Sequence, residues 1–404
     1  MSDAPEAIER IYREEYGRVV ASLARRFGDL DIAEDAASEA LVAALEHWPT
    51  AGIPPNPGGW LTTTATRKAI DKIRRESNRN TKHQQAAMII DPTPPADPGV
   101  VDDDRLRLLF TCCHPALSPE ARVALTLKLI GGLTVEEIAA AFLVPDTTMG
   151  QRITRAKRKI SEAHIPYRVP QAADLPARLG GVLAVVYLIF NEGYLSSSGA
   201  ASIRDDLCLE AIRLGRLLRA LMPTEPEVTG LLALMILIEA RRPARVAGGE
   251  LVTLGEQDRG RWDRELIEEG HTLVRECLAI NRPGHYQLLA AINAVHTDPP
   301  AASDTDWSQI AALYDQLYAI SPMPIVALNR AVALAELDGP VVALAVVDRL
   351  GLSTYHAWHA TRADLLRRLG RSSEAAEAYA AAIAATDNPA ERAYLTRRRG
   401  QLGQ

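Results

Sequence analysis

Thr147, Thr148, Gln151, Arg152, Arg155 and Arg158 follow one another at spacings that gather on one side of a helix. Hydroxyls, an amide and guanidiniums in that pattern carry out recognition chemistry. Arginine can donate in pairs to guanine or clamp a phosphate, and glutamine suits adenine. Met149, Ile153, Ala156 and Ile160 fall on the opposite side, where they can pack inward. A basic run such as Arg152, Arg155, Lys157, Arg158 and Lys159 is also what a solvated helix face looks like. The neighbouring elements decide between the two readings.

Those elements form a helix, a tight turn and a second helix. Thr134 is placed to cap the first, with Glu136 and Glu137 in its positive first turn and Ile138, Ala139 and Phe142 as its apolar stripe. Pro145 stops that helix and suits position N1 of the next. A supporting helix precedes the pair: Ser118 as N-cap, Pro119 at N1, Glu120 in the first turn, then Val123, Leu125, Leu127 and Leu129, ending at Gly131 and Gly132. A helix–turn–helix so supported is a DNA reader, its second helix suited to the major groove.

A second cationic cluster, Arg67, Lys68, Lys72, Arg74, Arg75, Arg79 and Lys82, closes a helix running from Trp60 to about Ser77. Two helices come before it. The first, Ala7 to Phe27, carries Ile8, Ile11, Tyr12, Tyr16, Val19, Val20, Leu23 and Phe27 on one broad face; the second, Ile32 to Trp48, is capped by Asp31. The Pro-rich GIPPNPGG separates the second from the third. Residues 91 to 104, DPTPPADPGVVDDD, are expected to form an extended tether with an acidic end.

Composition bounds the remaining choices. The chain has 404 residues, of which 47% are apolar and only 5% aromatic, so it can hold two or three helical domains. Its net charge of −6 excludes a uniformly basic nucleic-acid coat and confines DNA contact to local patches. Cys112, Cys113, Cys208 and Cys277 form no disulfide framework, and Cys112-Cys113-His114 lacks the ligand separation that wraps a zinc ion, so no metal or cofactor is expected. The sequence contains no glycine-rich phosphate loop, HExxH pair or nucleophile elbow, which argues against an enzyme. GGVLAVVYLIFNEGY, residues 180 to 194, is read as a buried helix too short to cross a bilayer, and the expected location is the cytoplasm. Near the C-terminus, turns at Asp338-Gly339 and at Leu369-Gly370-Arg371 lie about one tetratricopeptide period apart, suggesting stacked helical hairpins.

Taken together, AEDAASEALVAALEHW (Ala33 to Trp48), WLTTTATRKAIDKIRR (Trp60 to Arg75) and the helix–turn–helix at 133 to 159 resemble regions two and four of the extracytoplasmic-function sigma factors. These are promoter-recognition subunits of bacterial RNA polymerase, and the resemblance covers about the first 165 residues. It implies an all-α fold with region two at 1 to 85, a linker at 86 to 104, region four at 105 to 168 and a helical, tetratricopeptide-like C-terminal domain at 169 to 404. It implies that Asp35 and Glu39 dock on core polymerase. It assigns Arg67, Lys68, Lys72, Arg74, Arg75 and Arg79 to the minus-ten element, where cations must hold the phosphates of a separated strand. Thr147, Thr148, Gln151, Arg152, Arg155 and Arg158 match the helix that reads the minus-thirty-five element. Ser38 stands where the family usually carries glutamine, and Trp60 is assigned to structure rather than to base stacking.

The resemblance further implies that the linker follows the RNA exit path of the polymerase, that YLIFNEGY belongs to a subgroup with a fused C-terminal extension, and that this extension packs on the sigma regions in cis to regulate them. A conventional helix–turn–helix regulator, or an adaptor whose helical repeats bind a peptide, are the alternatives. The first would not need the Asp35 and Glu39 face or the strand-opening helix, and loss of function on changing Arg152 and Arg155 would count against the second.

Overall fold

The computed structural model describes residues 3–79, 98–142, 144–171, 173–194, 201–247, 250–386 and 388–402, and these are helical nearly throughout. They form two compact units, Met1–Ile189 and Phe190–Gln404. The first unit continues past residue 168, the expected end of region four.

Helix α1 (Asp3–Phe27) buries Ile8, Tyr16, Val19, Val20 and Leu23, the stripe expected of it. Helix α2 (Leu30–Ala51) starts earlier than its sequence indicated: Asp29 is the cap, accepting from the amides of Asp31 (2.8 Å) and Ile32 (3.0 Å), and Asp31 lies in the first turn. Asp29 has the extended backbone that a cap needs. Helix α3 (Pro57–Arg79) begins three residues before Trp60 because Pro57 fits a first helical turn, where no amide proton is required. The three helices pack pairwise into a bundle.

Helix α4 (Pro98–Cys112) corrects the expectation for residues 98 to 104. They form its first turns instead of the acidic end of a tether, and Pro98 starts the helix rather than preventing it. Residues 86 to 97 of the expected linker lie outside the described residues. Helix α5 (Pro119–Thr126) is capped by Ser118 as read from sequence, but its last turn, Leu127–Gly131, widens into a π-turn that ends at Gly132, φ +76°. Helix α6 (Val135–Ala141) and helix α7 (Asp146–Glu162) follow.

Helix α1 also packs on α4 and on the π-turn, joining both halves of this unit. The approach is close: a Cβ on Gly17 would lie 2.7 Å from the carbonyl oxygen of Ile130. The Tyr167 hydroxyl donates to the carbonyls of Ala21 (2.8 Å) and Asp104 (3.0 Å), bridging α1 and α4. Buried Asp104 in turn receives Arg107 at 2.6 Å and Arg25 at 3.4 Å.

Helix α8 (Leu175–Tyr194) contains the apolar segment and the division between the units. Its 20 residues are long and apolar enough to cross a membrane, which the 15-residue segment was not expected to be. Of its most apolar window 39% is buried within the protein, so the helix expected to be buried is partly exposed. Near its start Arg178 donates to the carbonyl of Phe110 (2.8 Å).

In the second unit, α9 (Ala201–Leu221) leads to α10 (Pro226–Glu239), which is buried along nearly its whole length. A short α11 (Arg242–Arg245) and an antiparallel pair, β1 (Val246–Ala247) and β2 (Glu250–Leu251), follow. Then come α12 (Arg264–Ile280), α13 (His285–Thr297), α14 (Trp307–Ile320), α15 (Pro324–Leu337), α16 (Pro340–Asp348), α17 (His356–Arg368), α18 (Ser372–Ala385) and α19 (Pro389–Gly400). From α12 onward each helix packs on the next. The turns fall at Gly339 and Gly370, and Ala331, Ala335, Ala343, Ala363, Ala375 and Ala382 line the shared core, letting the helices approach closely.

Candidate nucleic-acid interface

The start of α6 is fixed by local chemistry. The Thr134 hydroxyl accepts from the Glu137 amide (3.1 Å) while the Glu137 carboxylate accepts from the Thr134 amide (2.7 Å), a reciprocal capping box visible in the Thr-x-x-Glu spacing. Pro145 is the N-cap of α7, one place earlier than expected, and Asp146 occupies N1. Met149, Ile153, Ala156 and Ile160 are buried, which turns the opposite face to solvent. On that face Thr147, Thr148, Gln151, Arg155 and Arg158 are exposed and Arg152 is half-buried. Arg155 donates to the Gln151 side-chain oxygen (3.1 Å), and Arg158 lies 3.5 Å from Glu162, so both guanidiniums are held along the helix.

On α3, Arg67, Arg74 and Arg75 are exposed, and Arg79 is the last residue of the helix. Arg75 donates to the Asp71 carbonyl (3.2 Å). Lys72 and Lys68 are ion-paired across to α2: Lys72 with Asp35, and Lys68 with Glu39 at 3.6 Å. The two carboxylates expected to face a polymerase are therefore next to two cations expected to face DNA. Trp60 packs edge-on against Trp48 (ring centroids 5.3 Å apart) and stacks near His47 (6.4 Å), in agreement with a structural role.

A third face of α2 carries contacts that the sequence did not reveal. Lys157, in the basic run of α7, turns away from the exposed side and pairs with Asp31 (2.8 Å) and with Glu34. Lys128, in the π-turn, reaches Glu34 at 3.2 Å. The side chains of Lys157, Glu34 and Lys128 retain 10%, 13% and 15% of their exposure, so this cluster is largely shielded from water. Burial disfavours the Lys157 ammonium, but Glu34 and Asp31 outweigh it and hold its pKa above the usual lysine value. In sequence, Glu34 looks like any acid of an amphipathic helix, and only the helical phase of Lys157 hinted at a separate role: it is two residues beyond Arg155, on another side.

The Cys112-Cys113-His114 segment sits at the end of α4. Both thiols are buried, and the Cys113 sulfur lies 3.5 Å from the Thr126 hydroxyl. Burial pushes the Cys113 thiol up to about 11 and the Cys112 thiol well above its ordinary value, as fits packed side chains.

Comparison with known proteins agrees with this layout. Residues 11–79 match the family described as Sigma-70 region 2, residues 107–160 match Sigma-70, region 4, and residues 178–278 match a family of unknown function, DUF6596. Over 388 residues the chain is 43% identical to an uncharacterized protein, R00370, of Rhizobium meliloti, covering 94% of this chain and 92% of that one. It is 32% identical over 154 residues to a probable ECF RNA polymerase sigma factor, SigI, of Mycobacterium tuberculosis, covering 37% of this chain and 52% of that relative. It is 28% identical over 160 residues to the ECF RNA polymerase sigma factor SigK of Mycobacterium ulcerans, covering 38% of this chain and 83% of that one. No solved structure gives a significant match. A region two and a region four in one chain define a sigma-70 protein. The chain belongs to the extracytoplasmic-function branch of that family and carries a long helical extension after region four.

Proposed function

We propose that this RNA polymerase sigma factor directs initiation in the cytoplasm by binding core polymerase through α2 and reading a bipartite promoter through α3 and α7. In this reading Asp35 and Glu39 meet basic groups of the polymerase. Arg67, Lys68, Lys72, Arg74, Arg75 and Arg79 hold the phosphates of the opened minus-ten strand, and Thr147, Thr148, Gln151, Arg152, Arg155 and Arg158 read the minus-thirty-five element. The observation that carries the proposal is the division of α7, whose apolar side is buried while its polar and cationic side faces solvent along three turns. The chemistry of bond formation then belongs to the polymerase, and this chain supplies positioning.

The second unit is proposed to be a tetratricopeptide-like stack that regulates the sigma regions in cis; its consecutive packed hairpins support the stacking. The test is run-off transcription by core polymerase with the full chain. Arg152→Ala with Arg155→Ala should lower transcript yield at least tenfold on a promoter with both elements, each base-contacting arginine being worth about 1–3 kcal/mol. Unchanged yield would remove α7 from promoter reading.

A further inference from the structure

Arg241, Arg245 and Arg259 gather in the second unit, and none of them has a carboxylate hydrogen-bond partner among the described residues. Arg241 and Arg259 are buried, retaining 8% and 7% of their exposure, and Arg245 is half-buried. Arg241 caps α11 and Arg245 is its last residue, so the two lie one turn apart on one face. Helix α13 ties Arg259 to them. Arg241 donates to the Asn293 side-chain oxygen (2.7 Å), and Arg259 donates to the carbonyl of His296, one turn further on (2.9 Å).

Every hydrogen bond these guanidiniums make goes to a neutral group. Arg245 donates to the Tyr194 carbonyl and lies 3.6 Å over the Tyr194 ring. Arg259 adds the Pro299 carbonyl (2.6 Å) and the Thr305 hydroxyl (3.5 Å), and lies 4.7 Å over the Trp262 ring. The carbonyls at the end of α13 carry the negative end of a helix dipole and meet part of the Arg259 charge, as does nearby Asp304. Nothing of the kind serves Arg241. Burial lowers its pKa, the Tyr194 phenol acts in the other direction, and Arg245 and Arg259 lower it further. The Nε atoms of Arg241 and Arg259 are buried without a hydrogen-bond partner, and Ala240, Ala244, Trp262 and Ile267 form an apolar cluster among these arginines.

Taking a cation out of water is costly unless an opposite charge meets it, and a like charge one turn away adds to the cost. The same arrangement is what an anion needs. Guanidiniums bind oxyanions through charge-assisted hydrogen bonds that strengthen away from water. We infer that Arg241 and Arg245 hold a small oxyanion, the phosphate or carboxylate group of a metabolite, with Arg259 adding charge from its fixed place on α13. The inference is independent of the promoter reading, since α3 and α7 take no part in it. An oxyanion bound there gives the second unit a chemical input of its own and stabilises its folded state by mass action.

Equilibrium dialysis of the unaltered full chain against radiolabelled inorganic phosphate, at constant ionic strength in chloride, tests the site, with succinate as the second probe. One saturable equivalent of either probe per chain is expected, and displacement of phosphate by succinate distinguishes a site open to carboxylates from one selective for phosphate. Arg245→Met, at the more exposed of the two side chains, should weaken binding at least about tenfold, and Arg241→Met should do the same. The bound probe should also raise the urea midpoint of the parent chain and not of the variants. No saturable binding of either probe, or binding that both variants retain, would overturn the site. Binding lost instead with Arg152→Ala and Arg155→Ala would assign the anion to the DNA-reading face and overturn it as well. Should Arg241→Met fail to fold, Arg245→Met decides alone.

Discussion

The basic run of α7 contains cations of two kinds. Arg155 and Arg158 lie on the open side, whereas Lys157 is shielded and committed to α2. The open face was legible because every residue on it obeys one helical phase, and so do the buried Met149, Ile153, Ala156 and Ile160. The destination of Lys157 was not legible, since a side chain's tertiary partner leaves no local signature when the two are more than a hundred residues apart. The second unit offers a similar lesson in His296. Its carbonyl accepts from buried Arg259 (2.9 Å), and its ring meets Trp307 edge-on. Burial first, and then Arg241 and Arg259, lower its pKa from 6.5 to about 4. A lowered folded value means that the stability gained from keeping the ring neutral is complete above pH 6.5 and is lost as pH falls towards 4. The loss amounts to about 3 kcal/mol over that window. Urea unfolding of the full chain at pH 7 and pH 4 should show it, the decline being smaller in His296→Gln by about that amount; equal declines in the two chains would count against the assignment to His296.

At the scale of elements, order and identity were readable, and the ends were less so. Ser118 and Thr134 cap the helices assigned to them, because a hydroxyl before an apolar run has little else to do there. Asp31 lost to Asp29, two identical side chains competing for one role, and the winner was set by backbone geometry that composition does not record. Pro98 was read as a breaker and proved to be a starter, since proline excludes itself from a helix interior but not from its first turn. The π-turn at Leu127–Gly131 had no signal beyond its terminal glycines. Packing of α1 on that turn depends on the missing side chain at position 17. Gly17→Ala should destabilise the first unit by about 1–3 kcal/mol, the usual cost of an overpacked contact with rigid backbone. A shift in the urea midpoint without a change in slope would register it.

For the whole molecule, the sequence indicated three helical regions, and the structure has two compact units, because region two and region four pack on each other and take in the first part of α8. Linear order suggested a tether, while the contacts that join the halves come from helices far apart in the chain. The extension after region four is where the proposed regulation is to be tested. A chain ending at residue 194 retains the whole of α8, including the Arg178 contact, which a chain ending at 168 would lose. If the second unit regulates in cis, transcript yield with residues 1–194 should differ from that of the full chain by at least threefold at equal polymerase occupancy; equal yields would assign the second unit another role.

The edge-on pair of Trp48 and Trp60 has an optical consequence. It sits at the junction of α2 and α3, and the other three tryptophans, Trp262, Trp307 and Trp358, all belong to the second unit. Two coupled indoles of this kind give an unlabelled first unit its own emission and near-ultraviolet dichroism. Spectroscopy on residues 1–194 can therefore follow the docking helix and the strand-opening helix through polymerase and promoter binding without a fluorophore being added.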